Sequence, residues 1–92
     1  MIRVFLSDAP GQAAALRAAI ETGDAGSIAA AAHALKGSVG LFSKGPAYEA
    51  ARALEQAARA GDLTAIDVRS AGVHDELKRV CADLEALLTK LL

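Results

Sequence analysis

A histidine, a lysine and a glycine lie close together near the middle of the chain, in the stretch Ala32-His33-Ala34-Leu35-Lys36-Gly37-Ser38. The imidazole of a histidine can act as a nucleophile, as a base or as a metal ligand near neutral pH. Lys36 follows His33 by one helical turn, so its ammonium group could offset negative charge that collects at the ring. This stretch is therefore the first candidate for chemistry.

The same stretch belongs to an alanine-rich run, residues 28–42, whose pattern is typical of an amphipathic helix. The apolar residues recur at steps of three and four, which marks one buried stripe: Ile28, Ala31, Ala32, Leu35, Val39 and Phe42. At roughly 100° per residue, His33 lies about 200° from Leu35 around the helix. We therefore predict that the ring points away from the core and toward water.

Small residues surround His33 on this predicted outer face. They lie one or two turns from the ring: Gly26, Ala29, Ala30, Gly37 and Gly40. A glycine inside a helix costs roughly 1 kcal/mol relative to alanine, so Gly37 and Gly40 indicate that a bare surface is needed here. We predict that these small residues form a docking surface for a second protein, whereas Ser38, about 140° from His33, packs between helices.

The rest of the chain predicts an all-α fold, an antiparallel up-and-down bundle of four helices in a single domain, residues 1–92. The predicted helices lie at about residues 8–22, 25–43, 46–60 and 63–91. Pro10 and Pro46 suit the first turn of a helix, and the pairs Gly23-Asp24 and Gly61-Asp62 each suit the end of one helix and the start of the next. A short extra helical turn over residues 2–6 could precede the first helix.

The last predicted helix carries an apolar stripe at alternating steps of four and three residues: Val73, Leu77, Val80, Leu84, Leu87 and Leu91. We expect this stripe to supply most of the core. Leu88 and Leu92 widen the apolar face near the end of the chain. There they could cover the end of the bundle or form a weak dimer contact.

Composition excludes several classes of function. The net charge of -1 gives no positive field for nucleic acid or for an anionic membrane surface. A single cysteine, Cys81, excludes an internal disulfide and fits a reducing compartment. No apolar run approaches the length of a membrane span. We expect a cytoplasmic monomer.

The motif His33-Ala34-Leu35-Lys36-Gly37-Ser38 resembles the His-x-Leu-Lys-Gly-Ser signature of the histidine-containing phosphotransfer (HPt) domains of bacterial multistep phosphorelays. The resemblance extends over nearly all of the chain, through the Gly-Asp breaks, the alanine-rich third helix and the long fourth helix. It departs from the family after the motif, where Leu41 replaces a common Asn and Ser43-Lys44 replaces a common Gly-Ala.

The resemblance implies that His33 is a phosphoacceptor and that Lys36 offsets the phosphoryl charge. It also implies partners, namely receiver domains of response regulators or hybrid histidine kinases, and a carrier rather than an enzyme. The sequence predicts no carboxylate cluster near His33, so Mg²⁺ is expected on the partner and no metal or cofactor on this chain. Lys44 and Arg52 are secondary candidates that could reach toward the phosphoryl group.

Two alternatives stay open at this point. The chain could be a docking module of the same fold that binds receiver domains or kinases without accepting phosphate. It could also be an enzyme or a metal protein that uses His33 together with His74, the other histidine. His74 lies between Val73 and the acidic pair Asp75-Glu76, and we predict that it is a solvated surface residue.

Overall fold

The computed structural model describes residues 2–91 as four helices joined by short turns. The helices are α1 (Ile2–Thr22), α2 (Ala25–Val39), α3 (Pro46–Arg59) and α4 (Ile66–Leu91). Both α1 and α3 pack against α2 and against α4, so α2 and α4 lie diagonally across the bundle. The predicted all-α four-helix bundle is confirmed.

Both Gly-Asp pairs end a helix as predicted. Gly23 and Gly61 have φ values of +69° and +73°, in the left-handed region that glycine enters without a steric penalty. Asp24 then begins α2, because its carboxylate accepts a hydrogen bond from the backbone N–H of Ser27 at 3.0 Å.

The start predicted for the fourth helix, near Leu63, is wrong. The carboxylate of Asp62 accepts hydrogen bonds from the backbone N–H and the hydroxyl of Thr64, at 3.2 and 2.6 Å. These bonds hold residues 62–65 in a turn, so α4 begins only at Ile66.

The first helix also differs from the prediction, which began it at Asp8 after a separate turn. α1 is continuous from Ile2, and Pro10 lies inside it. An interior proline removes one backbone hydrogen bond and is usually unfavourable. Here Pro10 is exposed, while an unbroken buried stripe on the inner face spans its position: Phe5, Ala9, Ala13, Leu16 and Ala19. Burial of that stripe outweighs the local preference of Pro10 for a helix start.

The second helix ends at Val39 rather than at Ser43. Past this point the backbone N–H groups of Leu41 and Phe42 donate to carbonyl groups three residues earlier, which makes a tighter turn. The turn brings the ring of Phe42 to that of Phe5, edge to face with centroids 5.2 Å apart. The third helix ends at Arg59, one residue from its predicted end.

The core comes mainly from α1, α2 and α3. Leu16, Ile28, Leu35 and Leu54 are its largest fully buried side chains. The prediction that the stripe of α4 supplies most of the core is therefore wrong. Only its first part is buried, at Val73 and Leu77, while Leu87 and Leu91 are 46% and 71% exposed. Leu92 lies outside the described residues.

Candidate functional site

His33 lies on the outer face of α2, as its helical phase predicts. Its side chain is 61% exposed, yet one edge of the ring is held by the neighbouring helix α3. The Nδ1 atom lies 3.0 Å from Oε2 of Glu55. The ring is thus open to a second protein while its orientation is fixed by a contact within the bundle.

Glu55 is the centre of a charged cluster. Its side chain is only 6% exposed, and two cations meet it in addition to the His33 ring. The Nζ atom of Lys36 lies 2.8 Å from Oε1, and the Nη2 atom of Arg59 lies 2.6 Å from Oε2. The hydrogen bond from Lys36, aided by those from Arg59 and His33, outweighs desolvation and lowers the pKa of Glu55 to about 2.

The ionised carboxylate determines which nitrogen of His33 carries the proton. A carboxylate can only accept hydrogen bonds, so in the neutral imidazole Nδ1 must be the donor to Glu55. The lone pair then resides on Nε2, the nitrogen that does not contact Glu55. The arrangement yields an exposed nucleophilic nitrogen with a defined direction of attack.

Sequence reasoning missed the role of Glu55. In the sequence, Glu55 and Arg59 lie four residues apart, a spacing typical of a weak ion pair on an exposed helix face, but Glu55 is buried. Its spacing carried a signal, because Glu55 follows the buried Ala51 by four residues and precedes the buried Ala58 by three. An acidic residue in phase with a buried stripe requires partners, and α2 supplies them.

Lys36 lies beside His33 as predicted, but its charge is shared. The side chain is 23% exposed and bonded to Glu55. Since Lys36 and Arg59 carry two positive charges and Glu55 one negative charge, the cluster keeps an excess of one positive charge next to a neutral His33 ring. That excess favours an incoming dianionic group.

Three of the predicted docking residues lie on the open surface, at Gly26, Ala30 and Gly37. A Cβ atom at Gly37 would meet no atom outside its own helix backbone within 4 Å. Gly26 and Ala30 line a shallow groove toward the end of α3, where the side chain of Arg59 forms part of the rim. The surface on both sides of His33 along α2 is therefore low and accessible.

The other two predicted docking residues, Ala29 and Gly40, are less open than the first three. Ala29 is 7% exposed and belongs to the core, although it also lines the groove beside Gly26 and Ala30. At Gly40 a Cβ atom would lie 3.3 Å from the ring of Tyr48 and 3.0 Å from the carbonyl oxygen of Lys36. Gly40 therefore serves the close approach of α3 rather than the open surface.

The secondary candidates Lys44 and Arg52 do not join the cluster. The ammonium group of Lys44 lies over the ring of Tyr48, 5.8 Å from its centroid. The guanidinium group of Arg52 pairs with Glu49 at 2.7 Å. The cation of α3 that joins the cluster is Arg59, whose side chain is 62% exposed and bonds to Glu55.

Ser38 packs between helices as predicted, where its hydroxyl accepts a hydrogen bond from Nε2 of Gln12 at 2.8 Å. The prediction for His74 is wrong, because its ring is half-buried. Its Nε2 atom is buried and has no hydrogen-bond partner among residues 2–91. Burial, reinforced by the charges of Arg17 and Lys78, lowers the pKa of His74.

Neither a metal centre nor a membrane span emerges from the described part of the chain. No group of three or more His, Cys, Asp or Glu side chains within residues 2–91 could hold a metal ion. Over the same residues, none of the helices has the length and apolar character that a bilayer crossing requires.

Comparison with known families identifies the family of the chain. The sequence model of one family, described as Hpt domain, matches residues 1–91, and the chain therefore belongs to the Hpt domain family. Domains of this family carry phosphoryl groups on histidine in phosphorelays, interact with receiver domains and are phosphocarrier modules rather than classical enzymes. No curated protein and no solved structure matches the chain.

Proposed function

We propose that this protein accepts a phosphoryl group on Nε2 of His33 from the aspartate of one receiver domain and passes it to the aspartate of another. The contact that carries the proposal is the one between His33 Nδ1 and the buried carboxylate of Glu55, at 3.0 Å. That contact leaves a lone pair on an exposed nitrogen, which a phosphoryl acceptor needs.

The transfer step follows from this tautomer. The lone pair of Nε2 attacks phosphorus, the N–P bond forms, and the bond between phosphorus and the aspartyl oxygen breaks with its electron pair going to the carboxylate. The proton on Nδ1 stays in its hydrogen bond to Glu55, so the positive charge that develops on the ring meets an anion. In the return step the ring leaves as a neutral imidazole. Neither direction needs a proton to move.

The cations around Glu55 support the same proposal. Lys36 and Arg59 both bond to the carboxylate that holds the ring, so the cluster adds a net positive charge beside the residue proposed to carry the phosphoryl group. That charge favours the anionic transition state of phosphoryl transfer. The Mg²⁺ that aspartyl phosphate chemistry uses is proposed to be on the receiver domain.

The surface beside His33 suits the approach of a receiver domain. The His33 ring projects beyond its neighbours, because the residues that flank it along α2 are small: Gly37 on one side, and Gly26 and Ala30 on the other. A partner could therefore bring its aspartate close to Nε2 without displacing a large side chain. We assign the docking role to these three residues and not to Ala29 or Gly40.

A phosphotransfer assay tests the proposal. A receiver domain labelled on its aspartate is mixed with wild type, His33→Gln and His74→Gln, and the label on each protein is tested for acid lability. We expect acid-labile label on wild type and on His74→Gln, and none on His33→Gln. Circular dichroism checks that each variant keeps its helical content.

Two outcomes would contradict the proposal. Label that persists in His33→Gln would place the acceptor at another residue. Receiver domains that bind the wild type without passing on phosphate, in a panel of several, would favour a docking module. Phosphoramidate is a small phosphoryl donor that needs no docking surface. Phosphorylation of His33 by phosphoramidate therefore distinguishes an unreactive histidine from a receiver domain that does not match this protein.

A further inference from the structure

The apolar stripe of α4 continues past the part that the bundle covers. Exposure rises along the stripe, from 3% at Val73 and 6% at Leu77 to 46% at Leu87 and 71% at Leu91. Between them Val80 and Leu84 are half-buried. The end of the bundle therefore leaves the C-terminal part of this face, from Val80 to Leu91, without a full covering.

An open apolar groove lies beside the same face. Its α4 wall carries Val80 and Leu84 together with three charged residues, Glu76, Arg79 and Asp83. The other wall comes from the end of α2, the turn that follows it and the start of α3: Val39, Phe42, Pro46 and Ala47. Each molecule thus presents both a groove and, at Leu87 and Leu91, apolar side chains that project from the same helix. A surface that carries both halves of a contact can pair with itself about a two-fold axis.

The spacing of the stripe allows two such helices to pair in an antiparallel manner, in registers that differ by one heptad. In one of these registers Leu84 lies beside Leu87 of the second copy. In the same register Val80 lies beside Leu91 of the second copy, which places that exposed leucine at the groove. Symmetry repeats both contacts, which gives a short, closed, apolar seam.

The residues that flank this seam are complementary in the same register. On one flank, Asp83 faces Lys90 of the second copy, twice by symmetry. Both side chains are exposed, and neither forms an ion pair within residues 2–91. On the other flank, Cys81 faces Leu88, and both are half-buried. In a parallel pair Asp83 would instead face Leu88, so the charges favour the antiparallel arrangement.

We propose that two copies of this chain associate through the C-terminal half of α4, antiparallel, with Leu84, Leu87 and Leu91 in the seam and Asp83 paired with Lys90. The segment from Val80 to Leu91 is about 18 Å long at 1.5 Å per residue. Such a contact is smaller than a standard interface, so the dimer is weak, with a dissociation constant on the order of 100 µM. This inference does not depend on the proposed function.

The dimer leaves both phosphoacceptor sites free. His33 and its docking surface lie on α2, which is diagonally opposite α4 in the bundle. Each subunit can therefore meet its own receiver domain. The rate of transfer per subunit is expected to be the same in monomer and dimer.

Sedimentation equilibrium over a range of concentrations tests the association. Wild type is compared with Leu91→Glu and with Val68→Glu, a control at a valine that is 77% exposed in the first turn of α4. We expect the dissociation constant to rise at least tenfold in Leu91→Glu and to stay unchanged in Val68→Glu. Circular dichroism checks that the Leu91→Glu subunit keeps its helical content.

Charge reversal tests the register. Asp83→Lys and Lys90→Asp each place like charges in contact twice, and each is expected to weaken the dimer roughly tenfold. The double variant restores the pairing in opposite order and should recover most of the affinity. The proposal is overturned if wild type stays monomeric up to about 1 mM, if Val68→Glu dissociates as readily as Leu91→Glu, or if the double variant remains as weak as the single ones.

Discussion

The two histidines of this protein occupy opposite environments. His33 is 61% exposed and yet bonded through Nδ1 to a buried anion, whereas His74 is half-buried and its Nε2 atom has no partner within residues 2–91. An anion at one nitrogen orients the His33 ring. The charges near His74 include the cations Arg17 and Lys78, which oppose a positive charge on its ring. Under the proposed function, exposure of the ring and its fixed contact with Glu55 both contribute to the reactivity of His33.

Removal of the Glu55 carboxylate should have the largest effect on the rate of transfer, because it removes the contact that distinguishes His33 from His74. In Glu55→Ala, His33 loses the acceptor that selects its tautomer, and transfer from a receiver domain should slow roughly 10- to 100-fold, the range typical when the partner that orients a functional histidine is removed. Transfer kinetics measure this against Glu49→Ala, an exposed acidic residue of the same helix. Equal rates in both variants would show that the contact with Glu55 does not assist transfer.

A bulky residue at Gly37 should block the approach of a receiver domain to the His33 ring. Gly37→Leu places a large side chain on the docking surface, so the KM for the receiver should rise roughly tenfold, while labelling by phosphoramidate changes little. Gly72→Leu is the matched control, since Gly72 is also an interior helical glycine with open space at its Cβ position. An unchanged KM would move the docking surface away from Gly37.

Loss of Lys36 should have a moderate effect. Lys36→Ala removes one of the two cations bonded to Glu55, and we expect transfer to slow about fivefold rather than stop, because Arg59 remains on Glu55. The comparison is made with Lys78→Ala on α4. Complete loss of transfer would show that Lys36 contributes more than a shared point charge.

Protonation of His74 and protonation of Glu55 should lower the free energy of unfolding in different pH ranges. We expect the effect of His74 to be the smallest. Because the pKa of His74 is lowered in the folded protein, the unfolded chain binds a proton at this residue at a higher pH than the folded chain does. The free energy of unfolding therefore declines as the pH falls below about 6.5. Glu55, at about 2 against an ordinary 4.5, contributes stability that is lost only as the pH falls from about 4.5 toward 2. Urea unfolding at a series of pH values measures this dependence. In His74→Gln the free energy of unfolding should depend less on pH in the upper range, and in Glu55→Gln it should depend less on pH in the lower range.

The converse results would contradict this assignment. An unchanged slope above pH 5 in His74→Gln would mean that burial of this ring does not oppose its protonation. An unchanged slope below pH 4.5 in Glu55→Gln would mean that the carboxylate is not held by its three partners.

The sequence predicted what depends on local chemistry and period. The helical phase of α2 placed His33 outside and Leu35 inside, and the left-handed glycines Gly23 and Gly61 marked two helix ends. These features depend on neighbours within one or two turns. They can be derived from spacing because a helix repeats regularly and glycine tolerates positive φ.

Features that depend on a second helix were not predictable in the same way. Glu55 is buried where α2 brings Lys36 to it and also His33, which lies 22 residues away along the sequence. Ala29 and Gly40 appeared free on one helix, but Ala29 is buried and Gly40 lies against Tyr48 of α3. Pro10 has the local preference of a helix start, but the buried stripe of α1 continues past it. In each case a tertiary contact overrides the local preference.

The cluster is also carried by one continuous piece of chain. His33 and Lys36 come from α2, Glu55 and Arg59 from α3, and these two helices are joined directly through residues 40–45. α1 and α4 supply apolar support without a side chain in the cluster. A helical hairpin of residues 25–59 is therefore the natural unit to graft onto another helical scaffold, where its reactivity could be adjusted separately from the surface that recognises the partner.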